Sequence, residues 1–321
     1  MKIMIAGDLV PTETNQALFA AGDVEGLLGR TLKEKWEKSD LRIFNLEAPL
    51  VDEGQPIVKS GPNLKIKTDC VRGIQALNPT LVSAANNHIR DFGREGIEST
   101  KALLEKHGLS MIGAGDSPEE ADACKIVKFG AGGGTSAGFY ACAEHEFSLV
   151  SDYGSGANGF SEHQSLTAIE KLKREAGFVT VLYHGGKEHY PYPTPQQQKV
   201  CRSMVDAGAD LVVCQHSHCV GCQENYHRGT IVYGQGNFIF DKPAAECWNT
   251  GLIVEITLEE KKTKDSAAGI VEIDYIPIEK SGNGIKEAEG VLRRDILGAF
   301  EARSREILSK EAVEEIFEKF S

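Results

Sequence analysis

The chain has 321 residues, 41% hydrophobic and 26% charged, an ordinary globular composition with room for one large core or two smaller ones. Its formal net charge is -12 and no Lys/Arg run offers the basic face that nucleic-acid binding needs, so nucleic acid is excluded as a partner. No stretch approaches the roughly 20 apolar residues of a membrane span.

Residues 1–8 run straight into an apolar strand, too short for the apolar region of a signal peptide and without a cleavage site, which predicts a cytoplasmic protein. Eight cysteines fit that compartment as free thiols. Short apolar runs at residues 3–6, 41–46, 80–84, 179–183, 211–214 and 231–233 read as buried strands. Between them, residues 24–38, 96–107, 166–176 and 196–207 carry helical apolar spacing. Two of these end on a glycine, Gly108 and Gly208, as helices commonly do. Strands and helices in alternation predict an α/β fold with the helices outside. Gly130 to Gly134 form a loop that lacks the GxGxxG order of a nucleotide fingerprint. Residues 252–258 and 269–278 alternate apolar and polar positions and predict an antiparallel hairpin, with a solvated tip from Glu259 to Asp265. From Ile285 onward the pattern is helical and charged. The expected organisation is one domain over residues 1–280 and a helical extension over 281–321 packed on it.

The chemistry concentrates at strand ends. Cys214-Gln215-His216-Ser217-His218 follows the apolar run 211–213, placing two histidines just where a buried strand runs out. Asp8, Glu47, Asn87, His88 and His184 also follow short apolar runs. Taken singly, His184 reads as a structural histidine; for Asp8 and Asn87 a turn residue, and for Glu47 a solvated carboxylate, is the alternative to a place in the site. Together they read as a metal site, since neutral imidazole is a very common ligand. Carboxylates, an amide and imidazoles suit Zn, Mn, Fe or Co rather than calcium. Two metals roughly 3.5–4 Å apart need a bridging carboxylate, for which Glu47 is the natural choice. Cys219-Val220-Gly221-Cys222 has zinc-knuckle spacing but no second pair, and buried free thiols are the plainer reading. His107, His145, His163 and His227 lie away from these tips and read as structural.

The ordered segments carry a resemblance. They are Asn45-Leu46-Glu47, Ala85-Asn86-Asn87-His88-Ile89-Arg90-Asp91-Phe92-Gly93, Gly113-Ala114-Gly115, His184-Gly185-Gly186-Lys187-Glu188-His189-Tyr190, Pro193-Thr194-Pro195, His216-Ser217-His218-Cys219-Val220 and Tyr233-Gly234-Gln235-Gly236-Asn237-Phe238. In this order the chain resembles the capsule-synthesis CapA family, of the poly-γ-glutamate type, within the calcineurin-like metallophosphoesterases. The resemblance implies a four-layer α/β/β/α sandwich and two divalent transition metals (Mn, Zn or Fe). By it, Asp8 and His218 hold one metal, Glu47 bridges, and Asn87, His184 and His216 hold the other. His88 is then the general acid or an oxyanion contact. Lys59, in a loop that lies near the site in the family, is a candidate substrate contact or a solvated lysine; Arg90 a substrate contact or a surface cation, Glu188 a substrate contact or an orienting carboxylate, and Tyr190 a residue of an aromatic rim at the pocket mouth or of plain packing. The implied activity is a metal-dependent hydrolase acting on a phosphoester or acyl-amide of an acidic small molecule or polymer. The alternative is a non-catalytic, metal-stabilised binding or scaffold component of a polyglutamate-like polymer assembly system. A homo-oligomer is compatible with either. Two departures bear on the first metal: Val10 stands where metallophosphoesterases usually place a histidine, and Glu47 where they place an aspartate. Gly185 stands where relatives often have tryptophan.

Overall fold

The computed structural model describes residues 1–129, 135–144, 147–241, 246–259, 270–308 and 310–320. Among these, the strands in chain order are β1 (Lys2–Leu9), β2 (Leu41–Leu46), β3 (Leu81–Ser83), β4 (Met111–Ile112), β5 (Ala114–Gly115), β6 (Lys125–Phe129), β7 (Thr135–Ala143) and β8 (Gly156–Ala157). They continue with β9 (Phe178–His184), β10 (Leu211–Gln215), β11 (Gln223–Tyr226), β12 (Gly229–Val232), β13 (Asn237–Ile239), β14 (Thr250–Leu258), β15 (Ile270–Ser281) and β16 (Gly284–Glu287). The helices are α1 (Gln16–Ala21), α2 (Val24–Lys38), α3 (Val71–Ala76), α4 (Gly93–Lys106), α5 (Pro118–Ala121), α6 (Gln164–Glu175), α7 (Pro195–Asp206), α8 (Gly290–Glu306) and α9 (Lys310–Phe320).

Two sheets stack face to face. The first has the order β16-β15-β14-β1-β2-β3-β4, with β13 also pairing β1, and the second the order β11-β12-β10-β9-β7-β6. Strand β1 shows why they stack. Ile3 and Ile5 point into the layer between the sheets with Phe139, Leu182 and Val213, whereas Met4 and Ala6 point outward with Leu27, Leu28 and Trp36 of α2. A strand apolar on both faces must be covered on both. Helices α1 to α4 cover the outer face of the first sheet, and α6, α7 and α9 that of the second through Leu172, Met204 and Val313. The result is a four-layer α/β/β/α sandwich. Helix α8 closes the edge of the inner layer with Ile296 and Phe300.

The predicted strands and helices lie where the periodicity puts them, with three differences. Helix α2 is kinked at Gly29 (φ 64°), a left-handed turn that glycine adopts without strain. Residues 284–287, expected to be helical, form β16, which pairs with β15 from Ile278↔Glu287 to Ser281↔Gly284. Alternation is too short there to outweigh the charged pattern that follows. Strands β6 and β7 flank the glycine run and carry no comparable apolar signal. The Gly130–Gly134 loop, His145 and the expected hairpin tip over residues 260–265 lie outside the described residues. None of the described helices is long and apolar enough to cross a membrane.

The parallel strands place the site. Strands β1, β2 and β3 run parallel with Asp8 beside Asn45 and Asn45 beside Ser83. Strands β7, β9 and β10 run parallel with Cys142 beside Tyr183 and Tyr183 beside Cys214. Both sheets end their parallel strands at the same edge of the sandwich, and the loops leaving those ends meet there. Loops at the carboxyl ends of parallel strands are where α/β proteins usually bind ligands.

Candidate metal centre

Four strand tips converge at this edge. Asp8 and Glu47 come from β1 and the residue after β2, His184 from the end of β9, and His216 and His218 from just beyond β10. His216 (φ 96°) and His218 (φ 53°) are both left-handed, a conformation costly for residues with a side chain and concentrated at functional sites.

Two groups of donors result, Asp8–Glu47–His218 and Glu47–His184–His216, each able to meet on one ion, with Glu47 common to both. Two atoms each about 2.1 Å from a single ion stand at most about 4.2 Å apart. His184 Nε2 lies 3.6 Å from Glu47 Oε1 and His218 Nε2 4.0 Å from that atom. Both fall inside the limit. Asn87 joins the second group through Oδ1, 3.1 Å from His184 Nε2.

A web of amides fixes these positions. Asn45 Nδ2 donates to Asp8 Oδ1 at 2.8 Å and lies 3.3 Å from His184 Nδ1. Asn86 donates to Asn45 Oδ1 at 3.0 Å and accepts from the backbone of His88 and Ile89. His216 N donates to Asp8 Oδ2 at 3.1 Å. Asn237 Oδ1 is 2.8 Å from His218 Nδ1, so that nitrogen carries the proton and Nε2 is presented towards Glu47. Trp248 stacks on the His218 ring (4.1 Å between centroids) and donates Nε1–H to His189 at 2.9 Å.

The electrostatics call for a cation. Asp8 and Glu47 have no solvent exposure. Burial pushes the Asp8 carboxyl up to about 6, against the opposing hydrogen bond from Asn45. Burial also lowers His216 to about 4 and His218 to about 3, and holds His184 well below the ordinary imidazole range. The imidazoles are therefore neutral and cannot balance the carboxylates. Burying a carboxylate without a counter-charge costs several kcal/mol. Neutral imidazoles around buried oxygen donors fit divalent transition metals.

A pH dependence follows. Below about pH 6 Asp8 takes a proton and offers one anionic donor fewer, while His216 and His218 stay neutral until far lower pH. Metal affinity is expected to fall about tenfold per pH unit below that point, because protons compete with the ion for the ligand. Manganese titration at pH 5 and pH 7 checks this; equal affinities would contradict it.

His88 stands beside the donors without being one. It adds repulsion that further lowers His184, His216 and His218. Its Nδ1 lies 2.6 Å from Asp91 Oδ2 and 3.1 Å from Lys59 Nζ. Lys59 has a buried side chain ion-paired with Asp91. Glu188 is exposed, and its charge reaches His216. Arg90 is half-buried, its guanidinium against Gly154. Tyr190, expected at a pocket rim, is 5% exposed and packs against Phe317 and Phe320 of α9, a core position that no periodicity around residue 190 announces. Cys219 and Cys222 join neither donor group, and burial pushes both thiols up, Cys219 to about 12. Asn45, Asn86 and Asn237 lie within the quoted segments without being assigned a role there, Asp91 holds His88 and the loop beside it, and Trp248 lies outside every segment, so no sequence signal marks it.

Known proteins agree with this architecture. The chain is 26% identical over 253 residues to the capsule biosynthesis protein CapA of Bacillus anthracis, covering 75% of this chain and 58% of that one. It is 30% identical over 187 residues to the PGA biosynthesis protein CapA of Bacillus subtilis strain 168, covering 56% and 47%. The chain thus spans about half the length of the curated relatives it matches. In fold it is similar to the crystal structure of a hypothetical protein from Thermus thermophilus, with a TM-score of 0.54 at 14% identity, covering 88% of this chain and all of that one. The model of the family described as bacterial capsule synthesis protein PGA_cap matches residues 2–242, and those residues include every donor of the two groups, so the chain belongs to that family.

Proposed function

We propose that this chain is a two-metal hydrolase acting on a phosphoester or an acyl-amide of an acidic small molecule or polymer. The observation that carries the reading is Glu47, buried and shared by two groups of donors, with the His88–Asp91 pair beside them. When bound there, two divalent cations supply Lewis acidity and a more acidic water. The residues of the chain do the rest. Asp8, Glu47, Asn87, His184, His216 and His218 would hold the ions, and Asn45 and Asn86 lock the carboxylate and amide orientations. Asp91 accepts a hydrogen bond from Nδ1–H of His88, so a ring protonated on both nitrogens has its Nε2–H free to pass to the leaving group, which leaves the imidazole neutral. Lys59 holds Asp91 from its other oxygen and so fixes the imidazole plane. The names of the Bacillus relatives point to a polyanionic capsule polymer or its fragments as the substrate class.

One observation favours a second reading, a non-catalytic binding component. Val10 is buried at 4% exposure and supplies no donor, so the first position rests on three side chains. Manganese-loaded protein tested on phosphomonoesters, phosphodiesters and γ-glutamyl amides separates the two. Metal-dependent turnover of one class is expected. Full metal occupancy with no turnover of any class would favour the binding component.

A further inference from the structure

On the reading that Glu47, Asn87, His184 and His216 surround one cation, we infer that Glu144 is a positioning carboxylate for His216 and that Gly185 is the residue that admits it. Glu144 follows β7 directly. Its backbone N–H donates to the His184 carbonyl at 2.9 Å, which anchors it beside the ligand strand β9. Its side chain turns towards the site. Oε2 accepts the Gly186 N–H at 3.0 Å, and Oε1 stands 3.8 Å from Nε2 of His216.

The two nitrogens of that ring face different surroundings. Nδ1 of His216 is sealed from solvent, whereas Nε2 looks towards Glu144, whose side chain is 33% exposed. An imidazole that gives Nδ1 to a metal carries its proton on Nε2. Metal-bound histidines almost always donate that second N–H to a carboxylate, a carbonyl or water, which fixes the tautomer and raises ligand basicity. The 3.8 Å contact exceeds a hydrogen bond by less than about 1 Å. With Nδ1 committed to a cation, Nε2–H becomes a stronger donor and the contact tightens. The exposed Glu188 also places charge near His216, but Glu144 is the one tied down by two backbone contacts.

Gly185 makes the arrangement sterically feasible. A Cβ at position 185 would lie 2.9 Å from Glu144 Oε2 and 3.0 Å from its Cβ and Cδ. Gln197 Nε2 donates to the Gly185 carbonyl at 3.0 Å, which ties the glycine in place. Any side chain at 185 therefore drives the carboxylate away from His216. Glu144 carries no signal in the sequence, because its strand, β7, is itself not announced there.

The test is a manganese titration of the full chain, read by calorimetry and by the electron paramagnetic resonance of bound ion. Glu144→Ala and Gly185→Ala are expected to weaken by about 10–100-fold the position that His216→Ala abolishes. The position that His218→Ala abolishes should keep its affinity. Glu144→Gln keeps an acceptor for the Gly186 N–H but loses the charge, and is expected to be about tenfold weaker. It decides the matter if Glu144→Ala does not fold. Wild-type affinity in Glu144→Gln or Gly185→Ala, while His216→Ala loses an ion, overturns the role of Glu144 alone. A His216→Ala variant that still binds two ions with wild-type affinity removes His216 from the ligands and overturns this inference, whereas a wild-type chain that binds fewer than two ions overturns the two-metal reading itself.

Discussion

Replacing Glu47 with glutamine is expected to empty both metal positions, whereas His218→Ala should empty one and His184→Ala the other. Glu47 is the single donor shared by the two groups, within 3.6 Å of His184 Nε2 and 4.0 Å of His218 Nε2. Glutamine keeps the volume and removes the charge. The change is nearly isosteric and should leave the metal-free fold about as stable as the parent. Elemental analysis after manganese loading and gel filtration, with a melting curve of the metal-free protein, checks both halves. A Glu47→Gln protein that retains both ions would contradict the bridging role. One that unfolds without metal would contradict the expected stability of the metal-free fold.

His88→Ala should separate chemistry from binding. The imidazole belongs to neither donor group, yet its Nδ1 is held at 2.6 Å by Asp91. Loss of a positioned proton donor typically costs about 10²–10⁴-fold in rate. The expected result is that loss on whichever ester or amide the wild type turns over, with metal content unchanged. Asp91→Asn is a less clean probe. Asp91 also accepts the Leu64 N–H at 2.7 Å and pairs the buried Lys59 ammonium, so its loss disturbs the loop over residues 57–64 as well. Unchanged turnover in His88→Ala would leave the metals as the whole catalytic apparatus and remove the proton-transfer role.

Much of this site is legible in the sequence because buried parallel strands announce themselves. Residues 3–6, 41–46, 179–183 and 211–214 are apolar on both faces, and the polar residue that ends each run has nowhere to go but the edge where the strands finish. That logic identifies Asp8, Glu47, His184, His216 and His218. Strand β7 escapes it for a physical reason. It is built of small residues because helix α6 lies close: a Cβ at Gly138 would come within 2.7 Å of Leu172. Small residues chosen for close approach carry little hydrophobic signal, and with β7 goes Glu144. The left-handed turn at His218 is equally hidden, since the residues that hold its ring, Trp248 and Asn237, lie far along the chain. Tyr190 misleads for the converse reason. An aromatic residue near a ligand loop reads as a rim, but here the C-terminal helix α9 covers it, and nothing local to residue 190 encodes that helix.

The most direct measurement is a crystal of the full chain grown with manganese and examined by anomalous scattering. Two peaks are expected, one among Asp8, Glu47 and His218 and the other among Glu47, Asn87, His184 and His216, separated by roughly 3.5–4 Å. No peak at Glu47, or metal bound instead at Cys219 and Cys222, would contradict the shared-carboxylate centre.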